Sequence, residues 1–243
     1  MKSIEALKLR YRAYKYKNRI DKGGISFIQS NIRNGQIVFD IGAHKAGYLY
    51  FILKQVGASG KIFAFEPQSI LYQYIKKLKT LLNWENLTIE HLALSDSKGT
   101  VMLNIPKRKS GQNTSPSATI VEQKKHSDFA FTEIVSTETL DSYCLQHNIE
   151  PDFLKIDVEG NELRIFQGGV NTLKKYKPKI LVEIEARHVG EETVMETFNF
   201  MESLGYEGHF IHGLNFIPLK DFSFNKNQNT KDMKNYCNNF TFE

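Results

Sequence analysis

Residues 37–51, IVFDIGAHKAGYLYF, run a short apolar stretch into a glycine and then into an amphipathic segment, with Asp40 at the junction. Ile37, Val38 and Phe39 read as a buried strand, while Leu49, Ile52, Leu53 and Val56 recur at helical spacing. Gly42 allows a sharp turn between the two, and the start of a helix leaves free N–H groups beside that turn. In an open α/β sheet the crevice at the carboxyl ends of the strands is where ligands bind. A carboxylate placed there is expected to face a ligand.

The rest of the chain repeats this grammar. Strands are expected at 37–40, 61–65, 87–91, 153–156 and 180–183, and helices at 48–56, 67–82, 138–147, 159–174 and 191–204. Such alternation predicts a mostly parallel sheet with helices on both faces. Residues 100–105 read as a further strand, and 206–211 and 236–242 as late strands. The polar, basic stretch 106–119, PKRKSGQNTSPSAT, is long for a connector. It reads as a linker or as a lid whose Lys107, Arg108 and Lys109 could meet an acidic glycan.

With 243 residues, 41% hydrophobic and 24% charged, the composition is that of a globular domain. No apolar run reaches membrane-spanning length, and the opening MKSIEALKLRYRAYKYK lacks the apolar centre of a signal peptide. Cys144 and Cys237 alone make no disulfide framework and fit reduced thiols in the cytoplasm. The expected organisation is a basic helical extension over 1–34, broken at Gly23-Gly24 before a short helix at 25–32, and one domain over 35–243. Residues 1–35 carry nine basic side chains against Glu5 and Asp21. The net charge of the whole chain is +5, so the remainder is net acidic. That leading helix, with Tyr11, Tyr14 and Tyr16, suits an acidic glycan, a nucleic acid or a membrane surface, or else is a solvated face.

Glu66 ends the strand IFAFE after the glycine turn, where an acidic side chain can accept from both hydroxyls of a ribose. A nucleoside-bearing cofactor follows. The G-x-G-x-x-G fingerprint of a dinucleotide site is missing, since Ala43, His44, Lys45 and Ala46 follow Gly42. Asp40 would repel a pyrophosphate but suits an ammonium and a sulfonium, which S-adenosylmethionine carries. Two later strand ends are also acidic. FLKIDVEGNE presents Asp157 and Glu159, and LVEIEARH presents Glu183, Glu185, Arg187 and His188. Asp157 could simply cap a helix and Glu159 favour its dipole, by about 0.3–1 kcal/mol. Three acidic strand ends over one crevice nevertheless read as a site.

VFDIGAHKAGYLYF, AFEPQ, ALSD, TLDSY, FLKIDVEGNE, VEIEARH and the closing YCNNFTF resemble, in order and spacing, the FkbM-type methyltransferases. The resemblance covers nearly all of the chain beyond the basic helix. It implies a Rossmann-like class I methyltransferase fold, with a late antiparallel strand, that uses S-adenosylmethionine to methylate hydroxyl groups on sugars or polyketide-like products. Asp40, Gly42, Ala43, His44 and Gly47 would hold the methionine end and Glu66 the ribose. Ser95 would approach the adenine, and Asp157 the amine or the acceptor. Ala46 departs from the family, which commonly has glycine there. Asp157, Glu159 or His188 would take the acceptor proton. The competing version places Mg²⁺ on Asp157 with Glu183 or Glu185; the version without metal is preferred. The expected partner is a small-molecule or glycan acceptor. A nucleic-acid methyltransferase is the rival suggested by the basic start, but the Asn/Asp-Pro-Pro-aromatic motif is missing, so nucleic acid is not the expected partner. The other rival is a non-catalytic binding protein on this fold.

Overall fold

The computed structural model describes residues 2–106 and 129–243. Helix α1 (Lys2–Lys15) runs into a π-helical turn (Tyr16–Ile20) and α2 (Lys22–Asn31). Then come β1 (Ile37–Ile41), α3 (Leu49–Val56), β2 (Lys61–Phe65), α4 (Ser69–Leu82) and β3 (Leu87–Glu90). Three strands follow, β4 (Ala93–Ser95), β5 (Gly99–Pro106) and β6 (Phe129–Thr139), then α5 (Leu140–His147) and β7 (Phe153–Ile156). Next are α6 (Glu162–Gln167), α7 (Val170–Tyr176), β8 (Lys179–Glu183), α8 (Ala186–Val189) and α9 (Glu191–Ser203). The chain closes with β9 (Gly208–His212), β10 (Asn215–Pro218), α10 (Phe224–Asn227) and β11 (Asn239–Phe242).

The main sheet has the order β10-β9-β11-β8-β7-β1-β2-β3. From β8 to β3 every pair is parallel, while β11 inserts antiparallel between β8 and β9. Alternation along β1 divides the core. Phe39 and Ile41 face a cluster with Phe65, Leu154 and Tyr143, whereas Val38 faces one with Leu49, Ile52, Ile25 and Ile28. Leu9 and Ala13 of α1 belong to that second cluster, so the N-terminal helices share the core of the sheet. The small sheet β4-β6-β5 stands beside it.

Three local expectations are corrected. Gly23-Gly24 does not break the N-terminal pattern; both residues lie inside α2, whose N-cap Asp21 accepts the Gly24 N–H at 2.8 Å. Space explains Gly23, since a Cβ there would lie 2.2 Å from the Ile211 side chain. The helix expected from Glu138 begins at Leu140, because β6 pairs through Thr139 and the Thr139 hydroxyl then caps the Ser142 N–H at 3.1 Å. The helix expected over 159–174 is two helices with a turn before them. Glu159 sits in that turn at φ 57°, and the break falls at Gly168-Gly169. The expected linker or lid lies outside the described residues from 107 onward.

Gly168 has an ordinary helical φ of −75°, but a Cβ there would meet the Ser95 carbonyl oxygen at 2.2 Å. Gly168→Ala is therefore expected to cost about 1–3 kcal/mol, the scale of overpacking a closed core. A urea midpoint lowered with unchanged slope reads it; an unchanged midpoint would mean that β4 and α6 can separate freely.

Candidate active site

The carboxyl ends of β1, β2 and β7 open into a cavity of about 260 Å³, at the small end of small-molecule sites (about 300–1,000 Å³). One end is apolar, with Phe65, Leu92, Leu94 and Leu103. The other is polar, with Tyr16, Asp21, Tyr48, Asp157, Glu159 and Glu183. Between them is Glu66, fully buried, whose two oxygens accept from the His44 N–H at 2.7 Å and the Gln68 N–H at 2.9 Å. Burial pushes its carboxyl up to about 7 against the pull of those bonds. A carboxylate oxygen has two lone pairs, so capacity remains for hydroxyl donors.

The turn after β1 is wound tightly. Gly42 has φ 82°, and a Cβ on it would lie 1.9 Å from the Asp157 carbonyl oxygen. The Gly42 and Ala43 N–H groups both donate to the Phe65 carbonyl. His44 and Ala46 take left-handed conformations, φ 47° and 62°, a region that carries backbone strain for residues with a Cβ. His44 lines the cavity, and burial, helped by Lys45, lowers it to about 4, so the ring is neutral. Gly47 serves a different neighbour: a Cβ there would touch the Tyr16 ring at 2.9 Å.

Asp40 lies beneath this cavity rather than in its lining. It is fully buried, and its counter-charge is Lys155 of β7 at 3.6 Å. The Lys155 ammonium also meets Asp157 Oδ2 at 3.3 Å and the Gly42 carbonyl at 3.3 Å, and stands 4.8 Å from the centre of the Tyr48 ring. Burial opposes its charge, but Asp157 and Asp40 outweigh that and hold it above the usual lysine range. Burial raises Asp40, and Lys155 opposes the rise. Ser95 is buried outside the lining, its hydroxyl donating to Asp96 at 3.3 Å; Leu92, Ala93 and Leu94 line the cavity there.

Asp157, Glu159 and Glu183 do converge on one wall. Glu159 Oε2 meets His188 Nε2 at 3.0 Å, and that contact raises the histidine above its ordinary value despite burial. His188 lies in a small recess behind the main cavity, with Glu183 and Glu185. Glu183 accepts from Asn238 at 2.6 Å and is raised well above the carboxylate range, first by burial and then by Asp157. Glu185 instead binds Arg187 at 2.6 Å and the Tyr236 hydroxyl, and is lowered although burial works the other way. Among the described residues no three His, Cys, Asp or Glu side chains are grouped to hold a metal ion.

Sequence reasoning missed Lys155, Tyr16 and Asp21. A lysine inside the apolar run FLKI was a visible signal, because a buried charge needs a partner. Asp21 was not visible in that way. Its Oδ1 caps α2, while Oδ2 is buried at the cavity without a partner among the described residues, and burial raises the carboxyl to about 6.

The Methyltransferase FkbM domain profile matches residues 40–207, more than half of the sequence. The chain belongs to the FkbM methyltransferase family. The cofactor of this family, S-adenosylmethionine, carries an electrophilic methyl group on a sulfonium. The apolar pocket, the buried Glu66 and the acidic end suit its adenine, ribose and ammonium in turn. Three solved structures share the fold. An FkbM methyltransferase from Methylobacillus flagellatus KT has TM-score 0.55 and 14% identity over 99% of this chain, which spans only 55% of that one. An O-methyltransferase from Bacillus cereus in complex with SAH has TM-score 0.51 and 13% identity, covering 99% of this chain and 89% of that one. Fibrillarin from Aeropyrum pernix with bound S-adenosyl-L-methionine has TM-score 0.50 and 10% identity, covering 91% and 73%. No curated protein matches the chain in sequence.

Removing the buried cation tests the site's electrostatics. Lys155→Met leaves two carboxylates without their counter-charge and is expected to cost about 3–5 kcal/mol. Adding Asp40→Asn should recover part of that loss, so a double-mutant cycle by urea unfolding should show a coupling above about 0.5 kcal/mol. Additive losses would mean that the two charges do not sense each other.

Proposed function

We propose that this methyltransferase transfers its methyl group to a hydroxyl oxygen of a sugar or glycan-derived acceptor. The observation that carries this reading is the charge of the cavity. Asp21, Asp157, Glu159 and Glu183 crowd its polar end, and among the described residues no lysine or arginine lines it. Carboxylates accept hydrogen bonds, so such a wall suits a neutral polyol and repels phosphate. Glu66 would take the ribose hydroxyls, Leu92 and Leu94 the adenine, and the turn from Gly42 to Gly47 with Asp157 the methionine end. Asp40 would act through Lys155, and Ser95 by holding the loop behind the adenine.

Bound there, S-adenosylmethionine would supply the methyl group to the acceptor oxygen, and a protein base would accept the hydroxyl proton. Asp157 stands at the cavity as a candidate for that proton, with the Glu159–His188 pair beside it as the alternative route. Holding the oxygen in line and excluding water supplies much of the acceleration. The buried, unpaired cysteines support a reducing compartment, the cytoplasm.

Radiolabelled methyl transfer across a panel of neutral and phosphorylated sugars tests the acceptor. A stable ether methyl on a neutral sugar is expected; transfer only to nitrogen, or to none of the sugars, would overturn the proposal. Asp157→Asn should then lower kcat by about 10²–10⁴-fold, with EDTA without effect. Cofactor affinity tests Glu66 separately. Ribose hydroxyls donate to the ionised carboxylate, so binding of S-adenosylhomocysteine should tighten as pH rises towards about 7 and level off above it. Calorimetry should show Glu66→Gln flattening this dependence and Glu66→Ala costing about 1–3 kcal/mol. A pH dependence that survives Glu66→Gln would assign it to another group.

A further inference from the structure

Helix α1 has two apolar faces, and only one is covered. Leu9 and Ala13 are buried against the domain, 1% and 2% exposed. On the opposite side Ile4, Leu7, Tyr11 and Tyr14 are 55%, 67%, 61% and 56% exposed. Their spacing of three, four and three residues lines them up in a single stripe along the helix. Basic residues flank that stripe on both sides: Lys8 and Lys15 on one, Arg10 and then Lys17 on the other. Lys15 reaches over the Tyr11 ring, 5.9 Å from its centre, and Lys8 pairs with Glu5, the only acidic residue of α1, at 3.4 Å. Arg12 is different. It turns inward, to the Lys45 carbonyl and the Tyr74 hydroxyl.

We propose that this outward stripe of α1 docks on a lipid surface bearing negatively charged headgroups. A helix lying in the interface buries apolar and tyrosine side chains, while flanking lysines and arginines reach up to anionic headgroups. Charge selects this occupant over a second copy of the chain. The stripe occupies a and d positions of a heptad, which puts Lys8, Arg10, Lys15 and Lys17 at the e and g positions; two such helices would set like charges against each other. The seam also covers only two heptads, shorter than a stable coiled coil. The stripe is convex, so it needs no grooved partner, and a fluid surface fits it. The inference stands apart from the acceptor proposal, because none of these residues lines the cavity.

Co-sedimentation of the full chain with vesicles tests it. Binding is expected to vesicles of phosphatidylglycerol mixed with phosphatidylcholine, at least ~10-fold tighter than to phosphatidylcholine alone. Shortening the Debye length from about 10 Å to about 3 Å with salt should weaken it. Leu7→Ser with Tyr11→Ser should remove binding through the apolar stripe, and Lys8→Glu with Lys15→Glu should remove the preference for anionic lipid. Both variants are expected to keep wild-type affinity for S-adenosylhomocysteine, which shows that they are folded. Absence of binding to the anionic vesicles would overturn the proposal. So would binding unchanged in both variants, or a dimer in analytical ultracentrifugation that the Leu7→Ser, Tyr11→Ser variant dissolves.

Discussion

One buried ammonium organises the floor of the site. In the parallel pairing of β1 and β7, Asp40 and Lys155 are direct register partners, and both point to the face covered by α2 and α3. A buried ion pair rarely adds net stability, because desolvating the charges costs as much as their attraction returns. Here it does something else. A slip of one residue would turn Lys155 towards the cluster of Phe39, Phe65 and Tyr143, where it would find aromatic rings and no carboxylate. The pair therefore works against misregister at the strand junction on which the turn after Gly42 depends. The same ammonium holds the Gly42 carbonyl and Asp157, so sheet register and site geometry are set together.

The N-terminal segment is the second constraint, and absent side chains bring it into place. Gly47 leaves room for the Tyr16 ring, which packs edge-on against Tyr48 at 5.5 Å. Gly24 does the same for Asp21, since a Cβ there would lie 2.1 Å from Asp21 Oδ2 and 2.7 Å from the Tyr48 hydroxyl. Tyr48 thus joins three things: the turn after β1, the Lys155 ammonium and the wall supplied by residues 16–21. The cavity is completed by a segment far from the family motifs in sequence.

That distance explains what the sequence could and could not disclose. The alternating strands and helices were legible because each depends on local periodicity, and Asp40, Glu66 and Asp157 because each ends an apolar run. Direction was harder. Asp40 lies one residue before the end of β1, and its side chain points to the Lys155 layer under the cavity, a difference of pleat phase that the motif does not encode. Glycine at 168 answers a non-local need, since the Ser95 carbonyl that leaves no room for a Cβ there is 73 residues away in sequence. Strand β6 escaped because its pairing with β4 and β5 is non-local, and exposed Ile134 blurs the alternation. Nothing local set Asp21 apart, because capping uses only one of its oxygens and the fold brings the other to the cavity.

Net charge illustrates the same limit. A total of +5 suggests a protein that seeks anions, yet the cavity lining is acidic and its cation, Lys155, is buried beneath. The surplus lies outside, on α1 and the turn that follows it. Tyr14 and Tyr16 are only two residues apart, but the first faces outward among lysines and the second lines an acidic cavity. A helix separates such neighbours by about 200° of rotation, so one short segment carries two opposite electrostatic surfaces. Field-level reasoning from composition describes the outer surface alone. Recognition inside the cavity depends on which carboxylates the fold leaves ionised, and burial decides that: it holds Asp21 and Glu66 close to neutrality, where a bound cation or donor can shift them.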